Sequence, residues 1–376
     1  MKHKNKFVNI ITEIKYRNGG IKMKKDFGQL FEEALAQIEE IEKRKKDIVI
    51  TPKNIHMDED GKLYIDNIGQ IDFTKTGFQH FCAKTELPAS YMMKLLETEN
   101  KTADQIKEDI ETFKVNMRRG LNRLKEDKNY LFRTVQHSDS NKYRVRAIFS
   151  DNYKVYDNLD ILKQLENFKE ERLETKGFSV TDDFMDIRFT MPELKRSLGR
   201  LPEHEVKFGV TEDIVFPGVH LRNSETGGSK ILGKFIIYRL VCTNGLTNPK
   251  HEFTIINQKH MGEFEISEIN YRFAEITSKA KELFVTYVEN YIEAKEKTVE
   301  PEEVFDLLKS RKNITNRMVE TVQRNWETEQ LMGKRKFDII NAITAGARDW
   351  ERDTKDYTGR LNLESVAGEL LFSKSI

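Results

Sequence analysis

The hydrophobic period of this chain changes for the last time near residue 260, and that change constrains its fold more than any other feature. From about residue 178 to about 260 the chain reads as strands. Phe178–Val180 and Phe184–Met191 alternate as a pair, and Val206–Phe216, Val219–Asn223 and Lys230–Cys242 continue the pattern, with His251–Ile256 as a further strand. From Phe264 the period becomes 3.6 and stays there. Ile269, Phe273, Ile276, Ala280, Phe284, Tyr287, Val288 and Tyr291 fall on one stripe of a long helix. Pro301 stands where a helix tolerates proline, in its first turn, and helices are predicted near 316–330, 335–348 and 361–373. Runs of strands followed by runs of helices argue for an α+β fold. The expected architecture is a central, mainly antiparallel sheet with flanking helices and an all-helical C-terminal region.

The N-terminal part adds a helix over 24–46, with Phe27, Leu30, Phe31, Leu35, Ile38 and Ile41 in its stripe. Short strands are predicted at Ile48–Ile50, Leu63–Ile65 and Ile68–Phe73, and helices at Thr74–Cys82, Pro88–Leu96 and Ala103–Leu124. Strands follow at Tyr130–Gln136 and Tyr143–Phe149, then a helix over 157–168 capped by Asp157 or Asn158. The expected organisation is an arm or upstream extension over 1–23, a mostly helical region with short strands over 24–126, a β-rich core over 127–260 and a helical region over 261–376. Gly19-Gly20 can be encoded GGA-GGA, which resembles a bacterial ribosome-binding site, so Met23 is a candidate start of translation alongside Met1.

No run approaches the roughly 18 apolar residues that a membrane span needs, so no membrane partner is expected. The two cysteines, Cys82 and Cys242, stand far apart and give no disulfide framework, which fits the cytoplasm of a bacterial host. The net charge is only +1, but it is unevenly distributed. Residues 114–154 hold eleven Lys and Arg against four Asp and Glu, while 263–306 hold twelve acids against five bases. The basic stretch is interleaved with Tyr130, Phe132, Tyr143, Phe149, Tyr153 and Tyr156. Cations neutralise phosphates and rings stack on bases, so this combination suits single-stranded DNA. The same pattern also fits strands with Phe132 and Phe149 inward and arginines outward, and both readings stand at this point. The acidic stretch could pair with the basic one within the chain or between copies of a homo-oligomer.

Motifs for chemistry are absent. No two of the eight histidines have helical ligand spacing and there is no CxxC, so no metal is expected. The Asp58–Gly61 turn lacks the later ligands of a calcium loop. No GxSxG elbow occurs. Cys242 ends an apolar strand and reads as a buried structural cysteine, with His220 and His251 its only partners for a nucleophilic role. Gly227-Gly228-Ser229-Lys230 resembles the end of a phosphate loop, but Asn223 stands where its first glycine belongs and a strand follows it. No catalytic residue and no cofactor is assigned, and the balance is against an enzyme.

Three blocks together resemble a known family. They are Arg146–Tyr153 (RAIFSDNY); Pro217–Gly228 (PGVHLRNSETGG) with Tyr238–Gly245 (YRLVCTNG); and Phe337–Thr344 with Leu363–Gly368. In this order they resemble the phage/plasmid-like proteins, a family of unknown function found in phages, prophages and plasmids, over about residues 70–372. The resemblance implies a mobile-element protein and supplies no catalytic residues. The glycines of the second block read as turn formers, and Arg222 and Arg239 could face one another across the strands that flank the turn. The expectation is therefore a non-enzymatic DNA-binding protein acting in recombination, replication or single-strand binding. Its contacts would be Arg118, Arg119, Arg123, Arg133, Arg144, Arg146, Arg222, Arg239, Tyr130, Tyr143 and Tyr153. The alternative is a phage protein that engages a host protein, to inhibit or trigger antiviral defence.

Overall fold

The computed structural model describes residues 27–374 apart from 138–139, 141, 167–172, 182, 202–205, 207–210, 240–241, 248–253, 261–263, 330–333 and 355. The arm over 1–23, the start at Met23 and part of the strand expected at His251–Ile256 lie outside the described residues, as does the side chain of Cys242.

The α+β expectation holds, with two sheets rather than one. The first has six strands in the order β1-β5-β6-β4-β3-β2. These are β1 (Ile48–Ile50), β2 (Ile55–Met57), β3 (Leu63–Ile65), β4 (Gly69–Phe73), β5 (Tyr130–Gln136) and β6 (Tyr143–Ser150). The sheet is mixed: β4 runs parallel to β6 and the other neighbours are antiparallel. A parallel pair needs a long crossover. Here it contains three helices, α2 (Lys75–Lys84), α3 (Ala89–Leu95) and α4 (Ala103–Leu121). Thr74 caps α2 by accepting from Gly77 N at 3.0 Å, and Thr102 and Gln105 close a capping box on α4. Phe78, Phe81, Cys82, Met92 and Met117 pack with Ile65, Ile71, Phe132 and Ile148 in one core.

The second sheet is antiparallel throughout. Its strands are β7 (Glu174–Val180), β8 (Met185–Thr190), β9 (Arg196–Arg200), β10 (Glu212–Asn223), β11 (Ile231–Arg239), β12 (Cys242–Thr247) and β13 (Thr254–Gln258). The long strands β10 and β11 form its centre, and each has two partners along its outer edge: β8 and β9 on β10, β12 and β13 on β11. The two strands predicted on either side of Pro217-Gly218 are thus one. Pro217 lies between the last residue paired with β9, Val215, and the first paired with β8, Gly218, so its missing N–H falls where the outer partner changes.

Seven helices complete the second core. They are α1 (Phe27–Arg44), α5 (Asn158–Leu165), α6 (Glu268–Glu296), α7 (Pro301–Ser310), α8 (Asn316–Glu329), α9 (Lys336–Thr354) and α10 (Tyr357–Phe372). Helix α1 belongs here despite its place in the chain: Phe31, Ala34, Leu35 and Ile38 are buried with Phe189, Val219, Phe235, Tyr287 and Ile343. No described helix is long and apolar enough to cross a membrane.

One glycine sets how closely α2 approaches the first sheet. A Cβ at Gly77 would lie 2.0 Å from the carbonyl oxygen of Val145, so α2 sits on β6 only because residue 77 has none. Replacing Gly77 by alanine is expected to destabilise the protein by about 1–3 kcal/mol, the usual cost of overpacking. Gly177→Ala, which meets nothing within 4 Å, should be near neutral. Urea midpoints of the two variants measure the difference.

Candidate functional site

The most heavily charged place in the molecule is interior. Glu225, in the turn between β10 and β11, is 1% exposed. Its Oε1 accepts from Lys45 Nζ at 2.6 Å and from Asn158 N at 2.8 Å, and its Oε2 accepts from Arg146 Nη1 at 2.9 Å. Its carbonyl oxygen accepts from Arg133 Nη1 at 3.0 Å. Arg133 continues to Asp47 at 2.9 Å and to Asp157, and Lys45 reaches Asp157 at 3.1 Å and Glu42 at 2.5 Å. Asp157 therefore does not cap α5 with its side chain as expected. Its carboxylate is turned to Lys45 and Arg133, and Glu225 takes the α5 N–H instead.

Burial works to raise the Glu225 carboxyl, and Lys45, Arg146 and Arg133 more than offset it, holding it down to about 2. The same carboxylates keep Lys45 protonated against its own burial. Carboxylate oxygens of Glu42, Asp157 and Glu225 lie within 4.8 Å of one another, a spacing that suits a metal ion. Lys45 Nζ already stands 2.5–3.1 Å from all three and fills that role with its ammonium group.

The rest of the turn is built around this carboxylate. Asn223, Ser224 and Thr226 are buried with it. Ser224 Oγ donates to Asp183 O at 2.7 Å and accepts from Gly228 N at 2.9 Å. Asn223 Nδ2 donates to Asn158 Oδ1 and to Tyr156 O. Gly227 has φ +78°, and the Phe149 ring would lie 2.9 Å from a Cβ there. Phe149 in turn stacks on Tyr153 with centroids 3.6 Å apart and planes 3° off parallel, and Tyr153 stacks on His260 at 5.2 Å. The turn-forming reading of these glycines thus describes Gly227. Gly218 has another use: a Cβ there would meet Phe189 O at 2.2 Å and the Tyr238 ring at 3.0 Å.

The eleven residues expected to contact DNA fall into three groups. Arg133, Arg146 and Arg239 are interior: the first two in the junction just described, the third in a bidentate pair with buried Asp213 at 2.6 and 3.1 Å and over the Phe337 ring. Tyr130 is buried and its hydroxyl accepts from Lys125 N. A second group is half-buried against other groups. Arg144 donates to Asp72 at 3.3 Å and lies near His137; Lys46 stands over the Tyr143 ring; Arg222 lies 4.9 Å from the Phe184 ring; Tyr153 is in the stack. Arg222 and Arg239 do not face one another. Arg222 pairs in register with Leu232 and Arg239 with Val215, seven residues away along β10 and on the other face of the sheet.

The third group is exposed. Arg118 and Arg119 occupy the last turn of α4, and Arg123 follows it. Arg123 donates to the carbonyl oxygens of Thr85 and Glu86, which brings the C-terminal ends of α2 and α4 together. Lys84, Lys125 and Lys128 are exposed on the same segments, with Glu86, Glu126 and Asp127 as the acids among them. Among the described residues none of the three arginines makes an ion pair.

One polar cluster was not legible as a unit. On the face of the second sheet away from its core, His220 Nε2 and Asp186 Oδ2 are 2.5 Å apart, and both residues are buried. Arg188 lies 3.6 Å from Asp186 and 3.7 Å from Glu364, which accepts from Arg360 at 2.7 Å. The available signal was the alternation of β10, which puts His220 and Arg222 opposite Val219 and Leu221. The role weighed for His220 was as partner of Cys242, and its described carboxylate partner comes from β8. The other cysteine, Cys82, is apolar-packed and its thiol is pushed up to about 11 by burial, which makes it a poor nucleophile.

Residues 145–362 match the family described as domain of unknown function (DUF932), and the chain belongs to it. No curated protein matches the chain, and no solved structure does.

Replacing Glu225 by glutamine takes the carboxylate from buried Arg146 and leaves Lys45 with those of Glu42 and Asp157. The expected cost is about 3–5 kcal/mol, read from denaturant unfolding. The sign of the pH dependence follows from the lowered carboxyl. The contribution of Glu225 is complete above its unfolded value of 4.5 and is lost as pH falls toward about 2. Asp47, whose carboxyl is raised by burial, works in the opposite sense. A pH series from 6 to 2 on the native protein and the Glu225→Gln variant isolates the Glu225 share: the gap between them should close toward the acid end.

Proposed function

We propose that this protein is a non-enzymatic DNA-binding accessory protein of a phage or plasmid, and that it holds single-stranded DNA through the arginines at the end of α4. The observation that carries the reading is the exposed trio Arg118, Arg119 and Arg123, free of ion pairs among the described residues and flanked by Lys84, Lys125 and Lys128. A helix C-terminus favours nearby cations through its dipole, at about 0.3–1 kcal/mol each. That accounts for one or two such residues at the end of α4 and leaves the remaining charge for a polyanion. Exposed Tyr91, on the neighbouring helix α3, supplies a ring of the kind that stacks on bases. Phosphate contacts of this type hold DNA with little reading of its sequence. Arg133, Arg146 and Arg239 have no part in this reading, because their guanidinium groups are buried and paired with carboxylates.

The test is anisotropy of a fluorescent single-stranded oligonucleotide across a salt series, with the native chain and an Arg118→Ala/Arg119→Ala/Arg123→Ala variant. The native protein should bind at low salt. The variant should bind more weakly, with a salt slope smaller by roughly 2, from three contacts at about 0.7 each. The melting temperature should fall only slightly, through loss of the two Arg123 hydrogen bonds to the Thr85 and Glu86 carbonyl oxygens, since Arg118 and Arg119 are exposed. Absence of binding at low salt, or equal slopes for the two proteins, removes the reading.

A further inference from the structure

Helix α6 has two faces, and only one is used by the core. Ile269, Phe273, Phe284, Tyr287, Tyr291 and Ala294 are buried against the second sheet and the other helices. Two residues on, roughly 200° around the helix, a second series runs its whole length. Tyr271, Ser278, Val285 and Ile292 recur every seven residues, and Glu275, Glu282, Glu289 and Glu296 recur every seven between them. The spacing is four, three, four, three, as in the seam of a coiled coil. The three large members of the first set are 72%, 53% and 46% exposed, whereas a helix turned to solvent normally shows polar residues there. The seam extends for about 38 Å at 1.5 Å per residue.

A second observation marks its middle. A cavity of about 400 Å³ opens beside Val285 and Val288, lined also by Leu194, Phe284, Arg196 and Glu289. Its size and lining suit one large apolar side chain delivered from outside, as at the anchor of a helix held in a groove.

The acid ladder decides what can lie there. A second α6 would set glutamates against glutamates in a parallel pair and against the apolar series in an antiparallel one, so self-pairing of this helix is disfavoured. Glu275 is already engaged, by Lys279 at 2.7 Å and Arg272 at 3.9 Å. Glu282, Glu289 and Glu296 are exposed and make no ion pair among the described residues. We infer that the outer face of α6 is a docking seam for a basic amphipathic helix of a partner protein. That helix would present apolar residues to Tyr271, Val285 and Ile292 and Lys or Arg to the three glutamates. The inference rests on α6 alone and is independent of DNA binding at α4.

The experiment uses the full chain and a labelled synthetic helix of 28 residues. The peptide carries Leu at every seventh position, Lys at the intervening seam positions, and Ala and Gln elsewhere; a scrambled peptide of the same composition is the control. Micromolar binding is expected, weakened by salt, with the scrambled peptide at least about tenfold weaker, or ~1.4 kcal/mol. Val285→Ser/Ile292→Ser and Glu282→Gln/Glu289→Gln should each lower affinity about tenfold or more with circular dichroism and melting unchanged, since all four side chains are exposed. Equal binding of the scrambled peptide, or equal binding by the seam variants, overturns the inference, as does no binding at about 100 μM peptide. Concentration-dependent self-association of the native chain that the seam variants abolish also overturns it, because the occupant would then be a second copy.

Discussion

The carboxylate of Glu225 is the point on which the rest of the structure depends. It ties four segments that are distant in sequence: the end of α1 through Lys45, β5 through Arg133 at its carbonyl, β6 through Arg146, and the first turn of α5 through Asn158 N. Two cores meet there, one under the first sheet and one under the second. Taking these charges out of water costs several kcal/mol per ion, and the attraction repays it only where geometry is good. Such a junction therefore adds less to stability than to uniqueness. Any other seating of the turn takes the Glu225 carboxylate away from the buried side chains of Lys45 and Arg146.

This makes sense of the sequence around Glu225. The residues Asn223 to Thr226 are buried, although their types are those of an exposed turn. Ser224 and Asn223 satisfy backbone groups of neighbouring segments and hold the turn rigid, and Gly227 gives way to the Phe149 ring. Three of the ions that Glu225 brings together lie within the matched family region, namely Glu225 itself, Arg146 and Asp157, while Lys45 and Arg133 lie before it. The family motif is in this sense one half of a lock.

What the sequence made legible were the elements set by periodicity. The change from a period of two to one of 3.6 placed the helical C-terminal region, and Ile269, Phe273, Phe284, Tyr287 and Tyr291 of the predicted stripe are buried in α6. The division into two sheets was not legible, because a parallel pair such as β4 and β6 is fixed by a crossover and not by local pattern. The candidate site was half legible. Alternation put Phe132 and Phe149 inward and the arginines outward; Phe132 lies in the first core and Arg133 on the other face of β5, but Phe149 lies off that core, half-buried against Tyr153. What alternation could not say is that the other face is covered. The partner carboxylates, of Asp157 and Asp47, are 24 and 86 residues away, so an arginine that looks solvent-facing in its own strand is fully buried. The exposed arginines of α4 were equally visible in the sequence. Only their position beyond the reach of acids separates them from Arg133 and Arg146.

The same logic bears on where the functional unit begins. The family match starts at residue 145, inside β6, which spans Tyr143–Ser150. A chain cut there would lose β5 and β4 on the two edges of β6, and with them Arg133; it would also lose Lys45. Arg146 and Glu225 would keep each other, but Asp157 would face Glu225 without either cation that now separates them. The buried carboxylate of Glu225 and the half-buried one of Asp157 would then repel one another with only the Arg146 guanidinium to offset it. The matched region is thus a unit of descent whose charge balance is completed by the 144 residues before it. The physical unit is the two cores together, closed over Glu225.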